Sequence, residues 1–338
     1  MKTKDIEFTS VQKLETVSCD YCGSREYKKI AQQTDLIHKT TVEIFNIVEC
    51  LSCGLNYLNP RPDHKQIAKY YSDNYSFHQK SNRFKQILFS ISKLLVNSPV
   101  GYLMCLSPFL RRRLLSVIMP VIRDPILEAI KMDPRDLTVL DIGCGAGMTA
   151  YYWGPKGSLD YYRNYAKDVY GVEISESARA QGKQLGIKIY PNIEEVPADK
   201  KFDIIRMNWS LEHVHSPKNY FQFIQNRLTN SGFAIITVPN YDGFLYRLFP
   251  DSVEVPIHLY HFKPNDIRNY CKKYGLKVLD FRTFSFPSTF SFAAEKGLIN
   301  LLEIKNMSLF QGKQIQKFFD VLDQAGKGND MIFRVSKT

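Results

Sequence analysis

The chain has 338 residues, 44% of them hydrophobic and 23% charged, so it is long enough to bury a large core and to form two domains or one elaborated one. This is the balance of a soluble globular protein, and it excludes a chain built mainly of membrane spans. The formal net charge of +11 points to an anionic partner, whether nucleic acid, membrane surface or phosphorylated substrate. Charge alone does not choose among these, and it fits a basic surface without a specific partner equally well.

The first ten residues are charged and lack an apolar centre, so no secretory signal is expected there. The seven cysteines are Cys19, Cys22, Cys50, Cys53, Cys105, Cys144 and Cys271. An odd number without a secretion signal suggests a reducing, cytoplasmic setting. Four of them form two Cys-x-x-Cys-Gly units, Cys19 to Gly23 and Cys50 to Gly54, with 27 residues between Cys22 and Cys50. That arrangement predicts a tetrahedral structural zinc site on Cys19, Cys22, Cys50 and Cys53. Thr41 to Val48 is rich in β-branched residues and reads as a strand. Pro60 and Pro62 then break regular structure, so a zinc-ribbon module is predicted over residues 1–60.

Residues 61–136 read as a helical linker or lid. Ile67, Tyr70 and Tyr71 share one helical face, and Ile87, Ile91, Leu94 and Leu95 continue such a stripe. The longest uncharged stretch, 94–110, is interrupted by Asn97, Ser98, Pro99, Gly101 and Pro108 and is too short for a normal span. It predicts a buried or interfacial hairpin. Arg111, Arg112 and Arg113 follow it, and they suit either anionic headgroups at the inner membrane face or a solvated helix end.

From Leu137 to the end, apolar strands alternate with helical patterns. Strands are predicted at 138–142, 169–174, 187–190, 202–207, 233–238, 276–283 and 331–336, which together read as an α/β fold on a buried parallel sheet. Asp141-Ile-Gly143-Cys144-Gly145-Ala-Gly147 follows the first strand and opens a helix. Glycines let the backbone turn sharply and approach a ligand. A nicotinamide-binding loop would show Gly-x-Gly-x-x-Gly, whereas this one is Gly-x-Gly-x-Gly with an acid before it, suited to a cationic ammonium rather than a pyrophosphate. Glu173 ends the second strand, where a carboxylate can accept two hydrogen bonds from ribose hydroxyls. It lies 26 residues beyond Gly147, a spacing lengthened by the insert at 154–158.

These motifs resemble the class I S-adenosylmethionine-dependent methyltransferases over residues 137–338. The resemblance implies a Rossmann-like seven-stranded sheet. It also implies that Asp141 faces the methionine amino group, that Gly143, Cys144, Gly145 and Gly147 back the methionine and ribose, and that Glu173 and Ile174 hold the ribose end. Asn192 and Ile193 would flank the adenine, Asn208 would line the pocket, and Tyr75 would cover the cofactor from the N-terminal side. The order of zinc ribbon, Asn-Pro-Arg-Pro, Tyr-Tyr helix and methyltransferase further resembles a bacterial group acting on sugars, surface glycans or secondary metabolites.

Methyl transfer to a hydroxyl needs alignment and removal of a proton. After the fourth strand, Leu211-Glu212-His213-Val214 supplies a base, His213, with Glu212 as orienter or alternative; helix capping by the pair is an equal reading. Some relatives that methylate quinone precursors carry a further metal-holding carboxylate three residues before this Glu; Trp209 occupies that position here, which disfavours a metal at this site. His258 and His261 lie in the segment after the fifth strand, where acceptor-binding groups are expected, and packed histidines are the alternative.

The expected function is therefore methyl transfer to a small-molecule, sugar-nucleotide or glycan hydroxyl. Its variant is C-methylation of a keto sugar through an enolate. An RNA methyltransferase gripping its substrate with the ribbon and basic surface is less favoured, because no Asn-Pro-Pro-Tyr follows strand four and no basic tail is present. A non-enzymatic cofactor-binding scaffold is the remaining alternative. Acceptor identity and oligomeric state are not contained in these motifs.

Overall fold

The computed structural model describes residues 14–71, 136–146, 166–184, 186–248, 253–285 and 313–338. Tyr75, the 94–113 segment, Gly147 and the insert at 154–158 lie outside the described residues. No helix among the described residues is long and apolar enough to cross a membrane.

The N-terminal module contains strands β1 (Leu14–Glu15), β2 (Tyr27–Gln33), β3 (Phe45–Cys50), β4 (Asn56–Leu58) and β5 (Arg61–Pro62). β2, β3 and β4 form an antiparallel sheet, and β1 pairs with β5 to close the module. Each Cys-x-x-Cys-Gly unit is a tight turn. The Gly23 amide donates to the Cys19 carbonyl at 2.8 Å, and the Gly54 amide to the Cys50 carbonyl at 2.9 Å. Both glycines have left-handed φ, +79° and +77°, which a side chain would resist.

The main sheet contains β6 (Thr138–Ile142), β7 (Asp168–Val172), β8 (Lys188–Tyr190), β9 (Phe202–Asn208), β10 (Leu228–Pro239), β11 (Leu276–Phe284) and β12 (Asp330–Lys337). Their spatial order is β11-β12-β10-β9-β6-β7-β8. All seven predicted strands are present, but the sheet is mixed rather than parallel throughout. β12 runs antiparallel between β10 and β11. The physical reason lies at the end of β11, where Phe284 pairs with Asp330 and the Asn329 amide donates to Ser285 Oγ at 3.1 Å. The chain re-enters the sheet at the edge it has just left, so it can only run back.

Strand order reverses at β6, which has β7 on one side and β9 on the other. Such a switch point opens a crevice beyond the carboxyl ends of the strands, the usual place for a ligand in an α/β sheet. Helices α1 (Glu176–Gln184), α2 (Pro217–Arg227), α3 (Phe244–Leu248), α4 (Pro264–Lys273) and α5 (Lys313–Gln324), with 3-10 turns at Ile67–Tyr70 and Leu211–His213, complete the described elements. Pro217 and Pro264 open α2 and α4, where the missing amide hydrogen costs nothing.

The N-terminal module and the sheet share one apolar core. Phe45, Ile47, Tyr57 and Leu58 of that module belong to the same buried cluster as Leu140, Ile205, Phe221 and Phe333. Asp20, inside the first Cys-x-x-Cys unit, caps α2 from outside, accepting from Ser216 Oγ at 2.8 Å and from the Lys218 amide at 2.9 Å. It also accepts the Tyr270 hydroxyl of α4 at 2.8 Å. A carboxylate at a helix N-terminus satisfies orphan amides and meets the positive end of the helix dipole.

Candidate active site

The glycine loop leaves β6 at the switch point. Gly143 has φ +79°, and a Cβ there would sit 2.5 Å from Ser210 Cβ, so the loop presses against the turn that follows β9. Ser210 Oγ donates to the Ile142 carbonyl at 2.8 Å, locking the two turns together. Glu173 is buried just past β7. Its carboxylate accepts the amides of Gly145 at 2.9 Å and Ser175 at 2.8 Å. A carboxylate at the carboxyl end of the second strand of a βαβ unit is where ribose hydroxyls are bound in α/β nucleotide sites. Next to it Ile174 is 71% exposed, an apolar surface beside the crevice.

Asp141 has a partner within the chain. Both its oxygens meet the guanidinium of Arg206, with Arg206 Nε donating at 3.1 Å and Nη2 donating to the other oxygen. The two residues face each other across the parallel register of β6 and β9. Burial holds the Asp141 carboxyl above its usual range in spite of the guanidinium. The sequence signal was an arginine inside the otherwise apolar run of β9, because a buried cation needs a partner. Arg206→Ala would strand a buried carboxylate, and we expect a loss of about 3–5 kcal/mol in chemical denaturation; an unchanged midpoint would contradict this account.

After β9 the chain turns through Trp209, whose φ of +46° is unusual for a bulky residue. The Trp209 indole donates to Asp330 Oδ1 at 2.8 Å, and its backbone amide to the Thr237 carbonyl at 2.8 Å, fixing the strained position. A 3-10 turn, Leu211–His213, follows. Glu212 is 1% exposed, and neither carboxyl oxygen has a hydrogen-bond partner among the described residues. Desolvation therefore pushes its carboxyl well above the ordinary range. His213 Nδ1 lies 3.0 Å from the Ile257 carbonyl. That oxygen can only accept, so Nδ1 carries the proton and Nε2 the lone pair.

Nε2 faces Glu212 Oε1 at 3.9 Å, and the His258 ring stands edge-on to His213 with centroids 4.6 Å apart. Burial lowers His213 to about 4 and His258 well below its ordinary value, so both rings are neutral near pH 7. Donor atoms of Glu212, His213 and His258 all lie within 4.8 Å of one another. The Tyr71 hydroxyl is 3.2 Å from His213 Nδ1, so Tyr71 faces the site. Its neighbour Tyr70 packs edge-on to Phe45 and donates to Glu43 at 2.7 Å, a core role.

The methyltransferase domain family matches residues 111–280. The chain belongs to this family. Among similar proteins, the ubiquinone biosynthesis O-methyltransferase of Rickettsia conorii is 27% identical over 175 residues, 51% of this chain and 57% of the relative. That of Rickettsia canadensis is 27% identical over 165 residues, 47% of this chain and 66% of the relative. The chain thus spans less than two thirds of the length of these relatives. Among solved structures, an S-adenosylmethionine-dependent methyltransferase from Mesorhizobium loti is 16% identical with a TM-score of 0.41, covering 62% of this chain and 95% of that one. The O-methyltransferase of a trans-AT PKS multienzyme of Brevibacillus brevis, in complex with S-adenosyl-L-homocysteine, is 16% identical with a TM-score of 0.39, covering 60% and 67%.

In this chain the remaining candidates fall in several places. Cys144 is buried against Ile187, so only its backbone belongs to the loop. Asn192 is tied to Glu195, donating to its side chain at 3.2 Å and accepting its amide at 3.0 Å. Ile193 points into the main core. Asn208 Oδ1 accepts the Thr237 hydroxyl at 3.1 Å. His261 is not in the Glu212–His213–His258 trio. Its ring lies 5.3 Å from Tyr241, and burial lowers it to about 3. The sulfurs of Cys19, Cys22, Cys50 and Cys53 all lie within 4.8 Å of one another. Cys19 and Cys53 sulfurs are 3.5 Å apart, as are Cys22 and Cys50. Those separations are too long for disulfides. They suit four thiolates around one zinc, where bonds of about 2.3 Å at tetrahedral angles place sulfurs about 3.8 Å apart.

Proposed function

We propose that this chain transfers the methyl group of S-adenosylmethionine to a hydroxyl oxygen of a small molecule, with His213 receiving the proton. The observation that carries the reading is the state of His213. Its Nδ1 is committed to the Ile257 carbonyl, which leaves the lone pair on Nε2, and its turn is fastened to the end of β6, where the glycine loop begins, by Ser210. The O-methyltransferase names of the Rickettsia relatives support an oxygen acceptor.

The cofactor supplies an electrophilic methyl whose leaving group is already good. Glu173 and the Gly143–Gly145 loop bind and orient it at the strand ends. His213 Nε2 takes the acceptor's proton, and the buried Glu212 beside it is placed to share that proton. The water-poor surroundings of Glu212, His213 and His258 strengthen each electrostatic contact there. Cys19, Cys22, Cys50 and Cys53 bind a structural zinc in this reading.

The finer acceptor is a sugar hydroxyl, favoured by the order of the ribbon and methyltransferase modules; a phenolic hydroxyl is the second reading, favoured by the relatives' names. Product formation with nucleotide-linked sugars and with dihydroxybenzoates separates the two. A methyl found only on carbon or nitrogen would overturn the oxygen assignment. The cofactor half has its own test. Glu173→Ala removes a carboxylate whose hydrogen bonds to a diol contribute about 1.5–3 kcal/mol each. We expect titration calorimetry to show S-adenosylmethionine binding weakened by about 100-fold, and unchanged affinity would remove Glu173 from the site.

A further inference from the structure

Segment 253–261 lies between the ribbon and the proposed base and is tied to both. On the ribbon side, Gln33 Nε2 donates to the Val253 carbonyl at 2.8 Å, and His38 Nε2 donates to Glu254 Oε2 at 2.8 Å. The Leu58 amide donates to the Leu259 carbonyl and the His261 amide to the Asn56 carbonyl, both at 3.0 Å. Towards the base, the Leu259 and Tyr260 amides donate to the Glu212 carbonyl at 2.8 and 3.2 Å. The Ile257 carbonyl takes the His213 Nδ1 proton at 3.0 Å. Within the segment the His258 amide donates to the Glu254 carbonyl at 2.8 Å, so a one-turn loop carries Glu254, Ile257 and His258 together.

Most of these ties are backbone bonds that any sequence could make. The His38–Glu254 contact is different, being a side-chain-to-side-chain bond, charged when His38 is protonated, that joins the loop before β3 to the turn holding Ile257 and His258 beside His213. Charge-assisted bonds are the shorter and stronger kind, and they fix geometry.

We propose that His38 is a positioning residue for the base: anchored in the ribbon, it grips Glu254 and thereby holds the Ile257 carbonyl and the His258 ring against His213. The ribbon is then a wall of the acceptor site. The inference rests on the reading of His213 as the base, but its test does not need an acceptor.

The charged and titratable groups that interact with Glu254 are His38 of the N-terminal module, His258 of its own segment, Glu212 and His213 of the 3-10 turn, Tyr71, Tyr246 of α3 and Asp330 of β12. A readout that depends on one ring avoids mixing them. The full zinc-loaded chain is labelled with nitrogen-15, and the His213 ring signals are assigned by their absence in His213→Gln. In the native chain we expect two well-separated ring-nitrogen signals, those of a single neutral tautomer protonated at Nδ1. In His38→Ala they should move toward a common averaged position as the tautomers mix. His38→Gln, whose amide can still donate to Glu254, should restore the separation. Affinity for S-adenosylmethionine should stay within twofold in both, since neither change touches Glu173 or the glycine loop. Glu254→Ala cuts the same link from the other end and should match His38→Ala. A native His213 spectrum in either folded alanine variant, or no recovery in His38→Gln, would overturn the proposal. Absence of methyl transfer by the native chain would instead remove the base reading and leave this result standing.

Discussion

Replacing His213 with glutamine is expected to lower turnover by about 10²–10⁴-fold, the usual worth of a positioned general base, while S-adenosylmethionine affinity changes by less than about twofold. The split follows from the layout. Glu173 and the loop amides lie at the ends of β6 and β7, whereas His213 lies in the turn after β9 and bonds to Ile257 and Tyr71. Glutamine keeps a donor for the Ile257 carbonyl but has no lone pair comparable in basicity to Nε2. The segment should therefore stay in place while the proton loses its destination. Single-turnover rates with saturating cofactor give the measurement. Native turnover would take His213 off the list and shift the role to Glu212, whose desolvated carboxyl is raised well above its ordinary range.

The second large effect is expected at the cysteines. Structural zinc in a small four-cysteine module contributes about 10–16 kcal/mol of binding free energy, comparable to or larger than the about 5–15 kcal/mol that stabilises a typical domain. Cys50→Ser should drop bound zinc from one to none per chain by elemental analysis. Because ribbon and sheet share one core, it should lower the melting temperature of the whole chain, not of a detached module. Asp20 ties the first cysteine turn to α2 and α4, and segment 253–261 ties the ribbon to the proposed base, so cofactor binding and turnover should both fall. A native melting curve with no zinc bound would refute the structural metal.

Features set by local pattern were legible in the chain itself. Apolar runs of the right length placed all seven strands of the main sheet, and glycines after paired cysteines marked the two cysteine turns. The Gly-x-Gly-x-Gly loop with Glu173 marked the proposed cofactor end, and Leu-Glu-His marked the proposed base. Each depends on neighbours within a few residues, where backbone geometry and side-chain period can be read directly. Features that depend on partners far away in sequence emerged with the packed fold. Asp141 is matched with Arg206 by the register of two strands, 65 residues apart. β12 runs antiparallel because its start is pinned to the end of β11. Tyr71 reaches His213 across 142 residues, and His38 reaches Glu254 across 216. A buried charge or polar ring announces in sequence that it needs a partner, but only the packed fold names it, because desolvation is a property of the folded surroundings and not of the residue.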